Sequence, residues 1–141
     1  MKRIFALLLF VLFCTTAVFC EHRIALVIGN GSYPNTPLKN PPNDAEDVSK
    51  NLEQVGFTVI KGINADYPTM LGYLRDFQGL LNEPDTVALF YYSGHGVQVN
   101  GKNFLIPANT DIQHIDEIET LALQSDLVYS KLQNANIKTS I

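Results

Sequence analysis

Arg23-Ile24-Ala25-Leu26-Val27-Ile28-Gly29-Asn30-Gly31 is the stretch on which the fold turns. Ile24 to Ile28 is apolar at every position and closes on glycine. Such a run reads as a strand buried on both faces, the kind found inside a parallel sheet with helices over it. The residues downstream supply those helices. After a polar, proline-containing loop through Pro42, Asn43-Asp44-Ala45-Glu46 places Glu three residues beyond an N-cap residue, a capping-box variant. Ala45, Val48, Leu52 and Val55 then recur at helical spacing, and Gly56 supplies the stop. Phe57 to Ile60 reads as the next strand. Asp66 and Pro68 open a second helix whose apolar face is Met70, Leu74, Phe77 and Leu81. Thr86 to Tyr92 is a third strand with little alternation, and so a central one.

Beyond it, Asn100-Gly101 between Val97-Gln98-Val99 and Lys102 to Ile106 is a hairpin signal. A polar loop leads to a third helix near Ser125 to Ala135, with Val128, Leu132 and Ala135 on one side. Lys138 to Ile141 reads as the start of another strand. The order β-α-β-α-β predicts an α/β domain of three layers, α/β/α, around a mainly parallel sheet.

A chain of 141 residues allows one such domain. With 46% hydrophobic and 17% charged residues the composition is that of a globular protein rather than a disordered one. The formal charge is −4, and setting aside Lys2 and Arg3 makes it −6. An acidic body argues against a nucleic-acid partner. Three histidines (His22, His95, His114) and two cysteines (Cys14, Cys20) show no metal-ligand spacing, so no metal site is predicted. Gly29-x-Gly31 meets Pro34 where a dinucleotide fingerprint has its third glycine, and no phosphate-binding Gly-Lys-Ser/Thr is present. No cofactor is expected.

The first 20 residues read as a targeting segment. Lys2 and Arg3 precede the apolar run Ile4 to Phe13, and small and polar residues follow at Cys14 to Ala17, the order of a secretory signal peptide. Cleavage could follow Ala17 or Cys20. The competing reading is an uncleaved anchor, because Ile4 to Cys20 runs 17 residues without a charge, at the lower edge of a bilayer span. The expected location is secreted or periplasmic, with the membrane as a partner only if the segment stays on. The domain proper is expected over residues 21–141. Both cysteines lie at or before Cys20, so a mature chain cut there has no thiol.

In open parallel sheets ligands bind beyond the C-terminal ends of the strands. Two loops qualify: Gly29 to Pro42, and Ser93 to Val97. In the second, His95 stands between Gly94 and Gly96, glycines that let the backbone turn sharply and present an amide to a substrate. An imidazole there suits general acid/base work. The alternative is a histidine satisfied by turn hydrogen bonds, and the residues alone leave both open.

Three motifs together, Arg23 to Asn30, Leu38-Lys39-Asn40-Pro41-Pro42-Asn43-Asp44-Ala45 and Tyr91-Tyr92-Ser93-Gly94-His95-Gly96, resemble the caspase-like cysteine peptidases, and among them the metacaspase-related bacterial members. The resemblance runs from about Arg23 to Ile141. It implies a caspase-like fold and an endopeptidase acting on peptides or proteins. It maps the acid/base partner of a cysteine nucleophile to His95 and an oxyanion-hole amide to Gly96. Asp44 maps to a position lining an acidic pocket for Arg or Lys side chains; an acid in a helix's first turn is its other reading. The family's nucleophile follows the next strand in an Asp-Ala-Cys type motif, whereas this sequence has no cysteine after Cys20. The expectation is therefore an N-terminal fragment that stops before the nucleophile, with an incomplete sheet and no activity of its own. Ser93 and Ser140 are weak substitutes. An inactive pseudoenzyme or a membrane-anchored binding module is the alternative function.

Overall fold

A computed structural model describes residues 21–141; the expected signal peptide or anchor, residues 1–20, lies outside them. Strand β1 (Arg23–Gly29) runs between β2 (Thr58–Ile63) and β3 (Val87–Ser93), parallel to both. Helix α1 (Asn40–Gln54) connects β1 to β2, and α2 (Tyr67–Leu80) connects β2 to β3. The short β7 (Thr139–Ser140) lies parallel to β3, giving the order β2-β1-β3-β7. Six of the seven residues of β1 are buried, as a continuous apolar run in a covered parallel sheet should be.

The alternation of β1 divides the core. Ile24, Leu26 and Ile28 meet Met70, Leu74 and Phe77 of α2 and Val128 and Leu132 of the later helix α4 (Ser125–Gln133) on one face. Ala25 and Val27 meet Ala45 of α1 on the other. The fully buried residues of the core cluster on the α1 face are only Ala25, Val27 and Ala45, and α1 sits close: a Cβ on Gly29 would strike the Pro41 carbonyl and lie 2.7 Å from the Ala45 methyl. That approach is what brings the N-terminal turns of α1 to the end of β3. The α2 face carries the bulk of the packing. Phe77 is wholly buried, and shielding a side chain of that size contributes roughly 1.5–3 kcal/mol.

Local signals explain most of the element ends. Asp66 caps α2 by accepting from the Thr69 amide at 3.0 Å, and hydrogen bonds from Thr69 hold its carboxyl below the usual range. Gly56 has φ +86°, the left-handed turn that ends α1. Asn100 (φ 52°) and Gly101 (φ 77°) form the two-residue turn between β4 (Gly96–Val99) and β5 (Lys102–Leu105).

Several boundaries differ from the sequence reading. Helix α1 begins at Asn40, three residues before the capping box at Asn43, with Lys39 at the N-cap and no side-chain cap. Pro41 and Pro42 occupy the first turn, where the missing proline N–H is no loss. Asp44 therefore sits inside the helix rather than at its start. Strand β2 runs on to Ile63 because β1 offers partners as far as Gly29. The expected polar loop before α4 holds a 3₁₀ turn (Ile115–Glu117), a one-turn helix α3 (Ile118–Leu121) and a two-residue strand β6 (Leu123–Gln124) that extends the antiparallel sheet to β4-β5-β6. Elements this short show no period. α4 stops at Gln133, two residues before Ala135.

Candidate active site

Because β1 and β3 are adjacent and in register, with Gly29 opposite Ser93, the loops that leave their C-terminal ends emerge side by side. Asn30 fastens them. Its amide donates to the Ser93 carbonyl at 2.9 Å, and its fully buried side chain accepts from the Ala65 amide (2.9 Å) and donates to the Ala65 carbonyl (3.2 Å). Asn30-Gly31-Ser32 has the pattern of a glycosylation sequon, but the Asn30 side chain is sealed in the interior.

The loop from Gly31 to Leu38 folds back on itself. Tyr33 and Leu38 both donate their amides to the Gly31 carbonyl (3.0 and 2.9 Å), while the Gly31 and Ser32 amides donate to Asn64 Oδ1 (2.8 and 3.0 Å). Held in this way, the loop presents the Thr36 carbonyl to His95 Nε2 at 2.8 Å. A carbonyl only accepts, so this contact assigns the proton to Nε2 and leaves the lone pair on Nδ1. The Tyr33 ring lies against the imidazole, with centroids 4.4 Å apart and planes tilted by 49°.

The backbone of His95 is held as firmly. Its amide donates to the Tyr33 hydroxyl at 3.0 Å, and its carbonyl accepts from the Tyr92 hydroxyl and the Ile106 amide, both at 2.9 Å. Burial and the neighbouring Tyr33 hydroxyl push the Tyr92 phenol well above its usual pKa. Gly94 has to be glycine here: a Cβ would lie 2.5 Å from the Tyr92 hydroxyl and 2.6 Å from that of Tyr33.

Gly96 opens β4 opposite Leu105. Since the Ile106 amide bonds to the His95 carbonyl, Gly96 and Leu105 form a non-hydrogen-bonded pair of the antiparallel ladder. The Gly96 amide therefore points away from β5, to the outer edge of β4. His95 and Gly96 line one open cleft of about 360 Å³ with Tyr33, Thr36, Val97 and Ile118.

Asp44 does not line that cleft. It lies in a second one, of about 490 Å³, between the start of α1 and the end of β3, with Pro37, Lys39, Ser93 and Gly94. Ser93 Oγ donates to Asp44 Oδ2 at 3.1 Å. The two clefts share no lining residue but adjoin along the chain, Gly94 lining one and His95 the other, so the structure brings His95 and Gly96 together and sets Asp44 next door. Ser93 is engaged with Asp44 and not with the imidazole, so His95 is not placed to activate it. Ser140 is exposed and pairs with Ala88, five residues before Ser93 and so roughly 16 Å down the strand. Among the described residues no three His, Cys, Asp or Glu side chains converge as metal ligands would, and no helix is long and apolar enough to cross a membrane.

A covered parallel sheet with a histidine between two glycines beyond its third strand defines a caspase-like α/β domain. Residues 22–136 match the caspase domain family, and the chain belongs to it. It is 33% identical over 90 residues to the mouse mucosa-associated lymphoid tissue lymphoma translocation protein 1 homolog, a match covering 63% of this chain and 11% of that protein. The human mucosa-associated lymphoid tissue lymphoma translocation protein 1 is 30% identical over 96 residues, covering 67% and 12%. The chain thus spans about a tenth of the length of these relatives. The crystal structure of the Drosophila initiator caspase Dronc superposes with a TM-score of 0.63 over 82% of this chain and 43% of that one, at 14% identity, which shows the shared fold.

Three partners of the site were not legible beforehand. Thr36 acts through a backbone carbonyl, which has no side-chain signature. Tyr33 is the single aromatic of a polar loop, and that isolation was the available signal. Tyr92 lay within the quoted motif but read as strand.

Proposed function

We propose that this chain is the histidine-bearing part of a caspase-like cysteine endopeptidase. The observation that carries the proposal is the His95 imidazole, tethered through Nε2 to the Thr36 carbonyl with Nδ1 left as a base on an open cleft beside the Gly96 amide. In this reading Nδ1 takes the proton of a cysteine thiol. The thiolate attacks the scissile carbonyl, and the Gly96 N–H donates to the oxyanion that forms. The imidazolium then returns its proton to the leaving amine, and water hydrolyses the thioester. Asp44 receives an Arg or Lys side chain in the adjoining cleft, since a carboxylate pairs with a guanidinium or ammonium and repels an acid.

This reading requires a thiol that residues 21–141 do not contain. No cysteine follows Cys20, and Thr139–Ser140 pairs with β3 where the resemblance puts the strand that leads to the nucleophile. Without that thiol the 141-residue chain is expected not to cleave. The second reading is a pseudoenzyme that uses the clefts for binding alone. The quoted motifs support a metacaspase-related bacterial origin, and the charge and hydropathy order of residues 1–20 supports export, with cleavage or as an anchor.

The test joins the chain to a strand ending in Asp-Ala-Cys and offers it peptides ending in Arg, Lys or Asp. Cleavage after Arg or Lys that falls about 30-fold or more in Asp44→Ala is expected, the cost of breaking a desolvated charge pair. Preference for the Asp peptide would remove Asp44 from the reading. Turnover by the unextended chain, lost in His95→Ala, would reveal a nucleophile other than cysteine.

A further inference from the structure

The two tyrosine hydroxyls that meet above Gly94 do more than fill space. Tyr33 Oη accepts from the His95 amide, Tyr92 Oη donates toward the His95 carbonyl, and the two oxygens are 3.2 Å apart. Both also reach the Ile106 carbonyl, at 3.1 Å from Tyr33 and 2.7 Å from Tyr92. Each hydroxyl has one proton, so the network has a direction: the His95 amide donates to Tyr33, and the two phenolic protons are shared among each other and the His95 and Ile106 carbonyls. The ends of the His95 residue are thereby pinned to two strands and one loop at once. A flip of the Gly94–His95 peptide would strand the amide and swing the imidazole off Thr36.

We infer that Tyr33 and Tyr92 are positioning residues that set the orientation and tautomer of His95, with Gly94 supplying the space their hydroxyls occupy. Tyr33 acts twice, by its hydroxyl on the backbone and by its ring on the imidazole. Tyr92 acts from the strand itself, three residues before the histidine. A phenylalanine at either place would fill nearly the same volume but leave a backbone group of the His95 turn with one partner fewer. The catalytic meaning of this clamp rests on the proposed role of His95. The clamp itself does not, and it can be read in the 141-residue chain without any turnover.

The experiment is nuclear magnetic resonance on that chain, in its natural form and as Tyr33→Phe, Tyr92→Phe and Tyr91→Phe. Tyr91 is the neighbour on the opposite face of β3 and controls for loss of a phenol. In the natural chain His95 should show a single Nε2–H tautomer, and a Tyr33 hydroxyl proton should give a nuclear Overhauser effect to the His95 amide. Tyr33→Phe should raise exchange of the His95 amide about five- to tenfold, the worth of one hydrogen bond, and mix the two tautomers. Tyr92→Phe should mix the tautomers as well, and Tyr91→Phe should change neither signal. Amides of β1 serve as the internal reference for global stability. A single tautomer and amide exchange within twofold of the natural chain in both variants would overturn the inference. Should a variant not fold, the natural chain decides: absence of the hydroxyl-to-amide effect contradicts the clamp, and its presence upholds it. Peptidase activity enters none of these readouts, so a failure here is distinct from a failure of the proposed reaction.

Discussion

The two sides of Gly94 are built on opposite principles. On the His95 side the amide, carbonyl and Nε2 of one residue are each engaged, by Tyr33, by Tyr92 with Ile106, and by Thr36. On the Asp44 side a carboxylate takes one hydrogen bond from Ser93 and faces open space toward Lys39. A group that must pass a proton along a set direction gains from being held in one orientation. A group that must receive a side chain gains from room and an oxygen still free to accept. The same pair of adjacent parallel strands supports both, because small residues on the α1 face let Asp44 approach while the loop after β1 folds over the imidazole.

The contrast can be broken most severely at the glycines. Gly94→Ala forces a methyl against two hydroxyls and should destabilise the fold by about 2–4 kcal/mol, overpacking plus a lost hydrogen bond. Gly96→Ala meets only the Phe104 carbonyl, at 3.3 Å, and should cost less than about 1 kcal/mol. Urea denaturation midpoints of the two variants measure the difference, and equal losses would mean that the His95 side is no tighter than its surroundings.

A middle-sized effect compares polar groups at the two positions. Asn30→Ala leaves the buried Ala65 amide without its acceptor and should cost about 1–3 kcal/mol. Ser93→Ala, which removes a single bond to a half-buried carboxylate, should stay under about 1 kcal/mol. Thermal melts in one buffer rank the pair.

The smallest effect lies at the other end of the sheet. Hydrogen bonds from Lys138 and Arg23 hold the Glu21 carboxyl below its ordinary value of 4.5. A lowered folded-state value means that the ion pairs contribute above about pH 4.5 and are lost as the pH falls through the lowered value. Arg23 and Lys138 are exposed and Glu21 is only partly covered, so the change should be local and weakened by salt. Protection of the Thr139 to Ile141 amides, taken relative to the intrinsic exchange rate at each pH, should fall on acidification while that of Leu26 and Val27 does not.

What could be read from the residues follows from where the signals are written. β1, the Asn100-Gly101 hairpin, the face of α2 and its Asp66 cap were legible because apolar period, turn chemistry and capping are side-chain properties. The loop bearing His95 was legible from the strand end that precedes it, whereas Asp44, inside α1, was singled out by the resemblance alone. The start of α1 was misplaced because a good capping pattern at Asn43 competed with prolines that need no cap. β6 and α3 have two and four residues, below any period. The Thr36 carbonyl and the hydroxyl pair exist only through tertiary proximity, across 59 residues of chain for each contact. Side-chain pattern predicts what packs, and backbone groups recruited from a distant loop stay silent until the fold brings them in.

The central claim is that His95 is the proton carrier of a cysteine peptidase. The most direct measurement is kcat and KM of the chain joined to a strand ending in Asp-Ala-Cys, with His95 and with His95→Ala. Loss of a general base and acid should lower kcat by about 10²- to 10⁴-fold with KM changed by no more than a few-fold. A variant that keeps kcat within tenfold, or loses activity through KM alone, would contradict the assignment.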